Sequence, residues 1–134
     1  MANTTFNGPV RSQNGFQSVT VSPVTGAVTV GATFGNDVVL GTQTLSGAGA
    51  VDITNAFTQL TTTGPTQALT LANGAVGEIK IISHAVDGGS AVLTPTTKIG
   101  FSTITFTNVG DSCMLVYTSA GWDIVALNGA VAAP

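Results

Sequence analysis

The sequence predicts an all-β protein, a single antiparallel β-sandwich or barrel-like domain carried behind an extended N-terminal arm. Three observations predict it. Threonine occurs 22 times, and together with valine it falls into runs of period two rather than the 3.6-residue spacing of a helix. Turn residues break these runs about every 8–12 positions, the punctuation of a many-stranded β-domain. The chain of 134 residues has room for one ordinary core and no second one.

Taken in order, Met1 to Gly15 is rich in Asn, Gly, Pro and Gln and has too little apolar material to pack alone. Residues 1–15 therefore read as an extended arm, 16–128 as the β-domain and 129–134 as a flexible tail or a strand donated to a neighbour. Ser18-Val19-Thr20-Val21-Ser22 and Ala27-Val28-Thr29-Val30 alternate cleanly around Pro23-Val24-Thr25-Gly26. Proline presets φ at the start of that turn and glycine accepts a positive φ at its end, so residues 16–33 form a β-hairpin.

Asp37 to Leu45 reads as a strand, Ser46-Gly47-Ala48-Gly49-Ala50 as a flexible break, and Val51 to Thr63 as a further extended segment closed by Gly64-Pro65. A helical turn competes only over Thr54 to Leu60, where Asn55 offers a cap and β-branched threonines oppose it. Beyond residue 66 the pattern is regular. Strands are expected at Gln67–Leu71, Glu78–Ile82, Ala91–Thr94, Ile104–Thr107, Cys113–Thr118 and Trp122–Leu127. Asn73-Gly74 and Asp87-Gly88-Gly89 are read as hairpin turns. The expected core residues are Leu69, Leu71, Ile79, Ile81, Ile104, Phe106, Leu115, Trp122 and Ile124, with Glu78 and Lys80 sharing the solvent face of their strand.

Composition narrows function. Only 7% of residues are charged, against roughly 25% in an average soluble domain. No run reaches the ~20 apolar residues of a spanning helix, and the polar first residues lack the basic head and apolar centre of a secretory signal. A weakly charged surface lacks the repulsion that keeps copies apart, so self-association is expected. The cations Arg11, Lys80 and Lys98 cannot form a basic patch, and a nucleic-acid partner is not expected.

Chemistry is poorly provided for. His84 is the single histidine; Asp87 nominally partners it, but no serine sits in a nucleophile elbow, so His84 reads as a turn-proximal surface residue or a subunit contact. Asp87 and Asp111 lie beside glycine in turns, and Asp123 follows Trp122 on an edge-like position. The lone Cys113, in an apolar run, reads as a buried small hydrophobe. Neither a metal site nor a cofactor site is expected, and the chain reads as non-enzymatic. Trp122 could stack on a sugar, which leaves a carbohydrate-binding β-domain as an alternative.

Two segments resemble small virion proteins of tailed bacteriophages, especially those of marine and cyanobacterial hosts. One is Phe6-Asn7-Gly8-Pro9-Val10-Arg11-Ser12-Gln13-Asn14-Gly15-Phe16. The other runs from Leu69 to Ala130 through Leu71-Ala72-Asn73-Gly74, Gly77-Glu78-Ile79-Lys80, Thr103-Ile104-Thr105-Phe106, Gly110-Asp111-Ser112 and Gly121-Trp122. The resemblance implies a capsid decoration or cement protein on the outer surface of the virion, made in the host cytoplasm during assembly, or else a tail fibre or spike domain. It implies a homotrimer whose arm, through Phe6, Asn7, Gly8, Pro9, Val10, Arg11 and Phe16, grips the major capsid protein. Arg11 would fork onto a carboxylate of the shell.

Overall fold

The computed structural model describes residues 18–31 and 39–134; the expected arm, with its shell-contact residues Phe6 to Arg11 and Phe16, lies outside them. The chain divides into two compact units, residues 1–38 and 39–134. In the first, β1 (Ser18–Val21) and β2 (Val28–Gly31) form the expected antiparallel hairpin, with Val21 opposite Val28. Its turn closes where the Ser22 carbonyl accepts the Gly26 amide at 2.9 Å, with Gly26 at φ 70°.

The second unit holds ten strands: β3 (Thr42–Ser46), β4 (Gly49–Val51), β5 (Phe57–Thr61), β6 (Gln67–Leu71), β7 (Ile79–Val86), β8 (Ala91–Pro95), β9 (Thr103–Phe106), β10 (Ser112–Thr118), β11 (Gly121–Asn128) and β12 (Val131–Ala133). They make two packed five-stranded sheets, a front sheet in the order β11-β10-β7-β5-β3 and a back sheet in the order β12-β9-β8-β6-β4. The all-β sandwich is as expected. Its connectivity is not, because only part of it is antiparallel.

From β3 to β8 the chain alternates front, back, front, back, front, back, and each strand lies parallel on the one before it in its own sheet. Three coils are stacked this way. A strand that turns a corner into the opposite sheet keeps its winding sense, so it returns to the first sheet in the same direction. The corners decide the matter. Asp87-Gly88-Gly89 and Asn73-Gly74 are not hairpin turns but passages between sheets. Gly88 packs on the carbonyl of Thr62 and Gly89 on that of Gly64, so closely that a Cβ would collide with the backbone of the preceding coil.

After β8 the direction reverses. β9 returns antiparallel to β8, β10 and β11 form a true hairpin on the front sheet, and β12 lies antiparallel to β9. The tail expected to be flexible is thus an edge strand. The Ala133 carbonyl accepts the Ser102 amide at 2.8 Å. The run 54–60 forms no helix; β5 begins at Phe57.

Between the sheets lie Val51, Leu60, Leu69, Leu71, Ile82, Leu93, Ile104, Phe106, Leu115 and Trp122, with Ile124 packed against them. Two expected core residues are corrected. Ile79 is 43% exposed and Ile81 is half-buried on the outer face, while Lys80 and Ile82 point inward. The run Ile79-Lys80-Ile81-Ile82 is apolar on both faces, and a shift of one residue exchanges them. Ile82 opposite Cys113 and Lys80 opposite Leu115 set the register, and the ammonium finds oxygen partners inside.

Candidate functional site

Among the described residues the titratable side chains do not converge on a cleft. His84 is not a surface residue; it is fully buried on β7, where its Nε2 lies 3.0 Å from the Thr62 hydroxyl and its Nδ1 has no partner. A hydroxyl against an imidazole nitrogen has the spacing of a nucleophile and its base. Here that chemistry is shut off. Thr62 is 2% exposed, its oxygen accepts the Gly88 amide at 2.8 Å, and no carboxylate orients the imidazole from the far nitrogen. The pair ties β7 to the corner above β5.

Asp87, the nominal partner, instead accepts the Gly89 amide at 2.8 Å in its own turn. Asp111 accepts the amides of Thr107 and Asn108 at 2.7 and 2.9 Å. Those two bonds hold its carboxyl below the ordinary value of 3.8, against the opposing effect of burial. Both acids shape turns, as expected. Asp123 is exposed on β11.

A second buried polar cluster centres on Lys80, which was expected in solvent and is fully buried. Its ammonium donates to the Asn55 carbonyl and sits 3.8 Å from Asp52. Burial pushes the lysine below its ordinary value, and the nearby acids Asp52 and Glu78 restore part of the loss. Partial burial raises the Asp52 carboxyl, but hydrogen bonds from the side chain and amide of Asn55, with the charge of Lys80, leave it below 3.8. Beside them the Gln43 carboxamide accepts from the Thr58 hydroxyl at 2.8 Å and from the Asp52 amide at 3.0 Å, and donates to the Ala50 carbonyl at 3.0 Å. The one sequence signal of this cluster was a lysine embedded among isoleucines. Cys113 is buried, and burial pushes its thiol up to about 12.

Trp122 is fully buried. Its indole N–H donates to the Ala72 carbonyl at 2.8 Å, and it packs edge-on against Tyr117 with ring centroids 5.1 Å apart. It is core, as expected, and offers no face for a sugar. Among the described residues no three His, Cys, Asp or Glu side chains gather, and no helix is long and apolar enough to cross a membrane.

What the fold does present is a pair of outer sheet faces, each crossed by rows of aligned side chains. On the front sheet, register aligns Phe57, Ile81, Met114 and Ala126 in one row across four strands. Ile79 and Val116 follow in the next row, which ends at Asp123. Ile81, Met114, Ala126 and Leu127 line a shallow groove of about 160 Å³ together with Ser112, Cys113 and Asn128. The corresponding row on the back sheet is Ala50, Thr70 and Thr94, all exposed. A second outer row on the back sheet holds Ala68, Val92, Thr105 and Val131, and the front row beyond Ile81 is Gln59, Ser83 and Ser112, so each face carries an apolar row beside a polar one.

No protein-family model matches the chain, and no curated protein is recognisably similar to it.

Proposed function

We propose that this chain is a structural component of a bacteriophage particle, a decoration or cement protein that binds the assembled capsid shell and bridges its subunits. The observation that carries the reading is the uncharged apolar row of Phe57, Ile81, Met114 and Ala126 on an outer sheet face. Such a surface gains by being covered, at about 25 cal/mol for each Å² of apolar area removed from water. The scarcity of free charge supports it. Only 7% of residues are charged, Lys80 is spent inside the core, and little remains to hold copies apart.

In this reading the chain works without catalysis, cofactor or nucleic acid. It associates with itself, as the homotrimer that the resemblance implies, and with the major capsid protein on the outer surface of the virion. Residues Met1 to Gly15 serve as the arm that grips the shell, and each weak contact is multiplied by the symmetry of the particle. Deleting Met1 to Gly15 is expected to leave a folded β-domain that no longer sediments with capsids. A truncated chain that still binds the shell overturns the arm's role.

A tail fibre or spike component is the second reading, favoured by the three parallel coils, since stacked coils build elongated bodies. Copy number separates the two. Hundreds of chains per particle, counted from a cryo-electron map, support decoration, and a handful supports a fibre.

A further inference from the structure

The two sheets have four edge strands, β3 and β11 in front and β4 and β12 behind. An edge strand offers a row of unpaired N–H and C=O groups, and natural sheets protect such rows. Three of the four are protected here. β12 has only three residues and is followed by Pro134. β11 carries a bulge where it passes Met114 and Leu115, and at Trp122 it is covered by Thr97 and Ile99, which bond its N–H and C=O at 2.9 Å.

β4 is protected by a side chain. The Thr96 amide bonds the Leu71 carbonyl, so Leu71 faces β8 and its neighbour Thr70 faces β4. Thr70 is in register with Ala50, and in a parallel ladder it therefore bonds Gly49 and Val51, which leaves Ala50 and Asp52 aimed outward. The Gln43 carboxamide meets both, donating to the Ala50 carbonyl and accepting the Asp52 amide, each at 3.0 Å. An incoming parallel strand would place the N–H and C=O of one residue on those same two groups.

Among the described residues of the second unit, nothing protects β3 in this way. The Gly47 amide bonds the Thr61 carbonyl and the Phe57 amide bonds the Gly41 carbonyl, so the odd positions 41 to 47 face β5. The N–H and C=O groups of Thr42, Thr44 and Ser46 point away from the sheet, and all three residues are exposed. The strand Thr42-Gln43-Thr44-Leu45-Ser46 has no charge, no proline and no bulge.

We propose that β3 is a self-association edge, pairing antiparallel with β3 of a second copy about a two-fold axis through Thr44. The pairing sets Thr44 against Thr44 and Thr42 against Ser46 on either side, and each pair exchanges both of its N–H···O bonds. A second copy is the occupant because the outward chemistry, hydroxyl-bearing at all three positions, reads the same in both directions. No charge opposes it, and Thr–Thr and Thr–Ser cross-strand pairs are favourable. Gln43 limits the association: with the back sheet capped, copies add at one strand only. The contact rests on the assembly reading only in needing more than one copy.

The test is the mass of the full chain by light scattering at micromolar concentration, beside hydrogen exchange. Thr44→Pro removes an N–H that the folded protomer does not use, and edge strands accept proline. It is expected to halve the wild-type mass, from six copies to three if the trimer also forms and from two to one if it does not. Should proline impair folding, Thr44→Lys places a charge opposite its own copy and is expected to halve the mass likewise. The amides of Thr42 and Ser46 are expected to be slowed in wild type and fast in both variants. A trimer that stays a trimer in both variants overturns the β3 pair and leaves the trimer standing; a pair that becomes single chains does the reverse. A wild-type protein of single-chain mass overturns both. Gln43→Leu opens the second edge and is expected to drive association beyond the wild-type mass; an unchanged mass overturns the capping role.

Discussion

Lys80 and Asp111 show how few charges this protein has and how completely it uses them. Asp52 and Asp111 titrate in the fold below 3.8, so the unfolded chain binds protons first on acidification. The stability they contribute is complete above that value and is lost as pH falls through their folded values. Lys80 acts at the other end. It gives up its proton in the fold below its ordinary 10.5, where the unfolded chain still holds one, so stability rises with pH across that window. Cys113 opposes it, since its thiol ionises near 9.0 when unfolded and at about 12 when folded, and stability is lost between the two. Urea midpoints followed across pH are expected to lose their acid dependence in part in Asp111→Asn. Lys80→Met is expected to remove the alkaline rise and Cys113→Ala the alkaline loss.

At the scale of elements, the corner glycines are where the fold is most sharply constrained. Gly89, at φ 139° against the Gly64 carbonyl, has no room for a Cβ between successive coils. Gly100, at φ 75°, has open space around it. Gly100→Ala is expected to cost about 1–2 kcal/mol, the strain of the left-handed backbone alone. Gly89→Ala is expected to cost well beyond that, read as a much larger drop in melting temperature. These glycines also explain what the sequence could and could not disclose. Strand positions from β6 to β11 were legible because short runs rich in β-branched and apolar residues fall between turn residues. Which strands pair was not, because an Asp-Gly-Gly corner and an Asp-Gly hairpin use the same dihedral freedom. The two faces of β7 were illegible for a related reason: Ile79 and Ile81 present as much apolar surface as Ile82, and only the partner strands choose between them. The Gln43 cap joins residues that no periodicity connects.

For the whole molecule, among the described residues every buried apolar residue of the core lies between Val51 and Ala130. A chain comprising residues 39–134 is therefore expected to fold by itself, with a cooperative melt and dispersed amide resonances. A collapsed, poorly dispersed fragment would show that residues 1–38 are needed to complete the core. The row from Phe57 to Ala126 gains by being covered, and in the proposed role it is the front sheet that turns toward the particle.

The winding of the coils has a consequence for size. Between the second and third coils Phe57 lies beside Ile81 in front and Gln67 beside Ala91 behind, a step of 24 residues in both sheets, whereas the first step is 15 residues in front and 20 behind. Inserting one more such segment between β6 and β7 would lengthen the body by a single strand spacing, roughly 4.8 Å, and leave both ends as they are. The architecture is a ruler whose graduations are set by the chain itself, and a lineage that needed a longer spacer would have only to duplicate one turn.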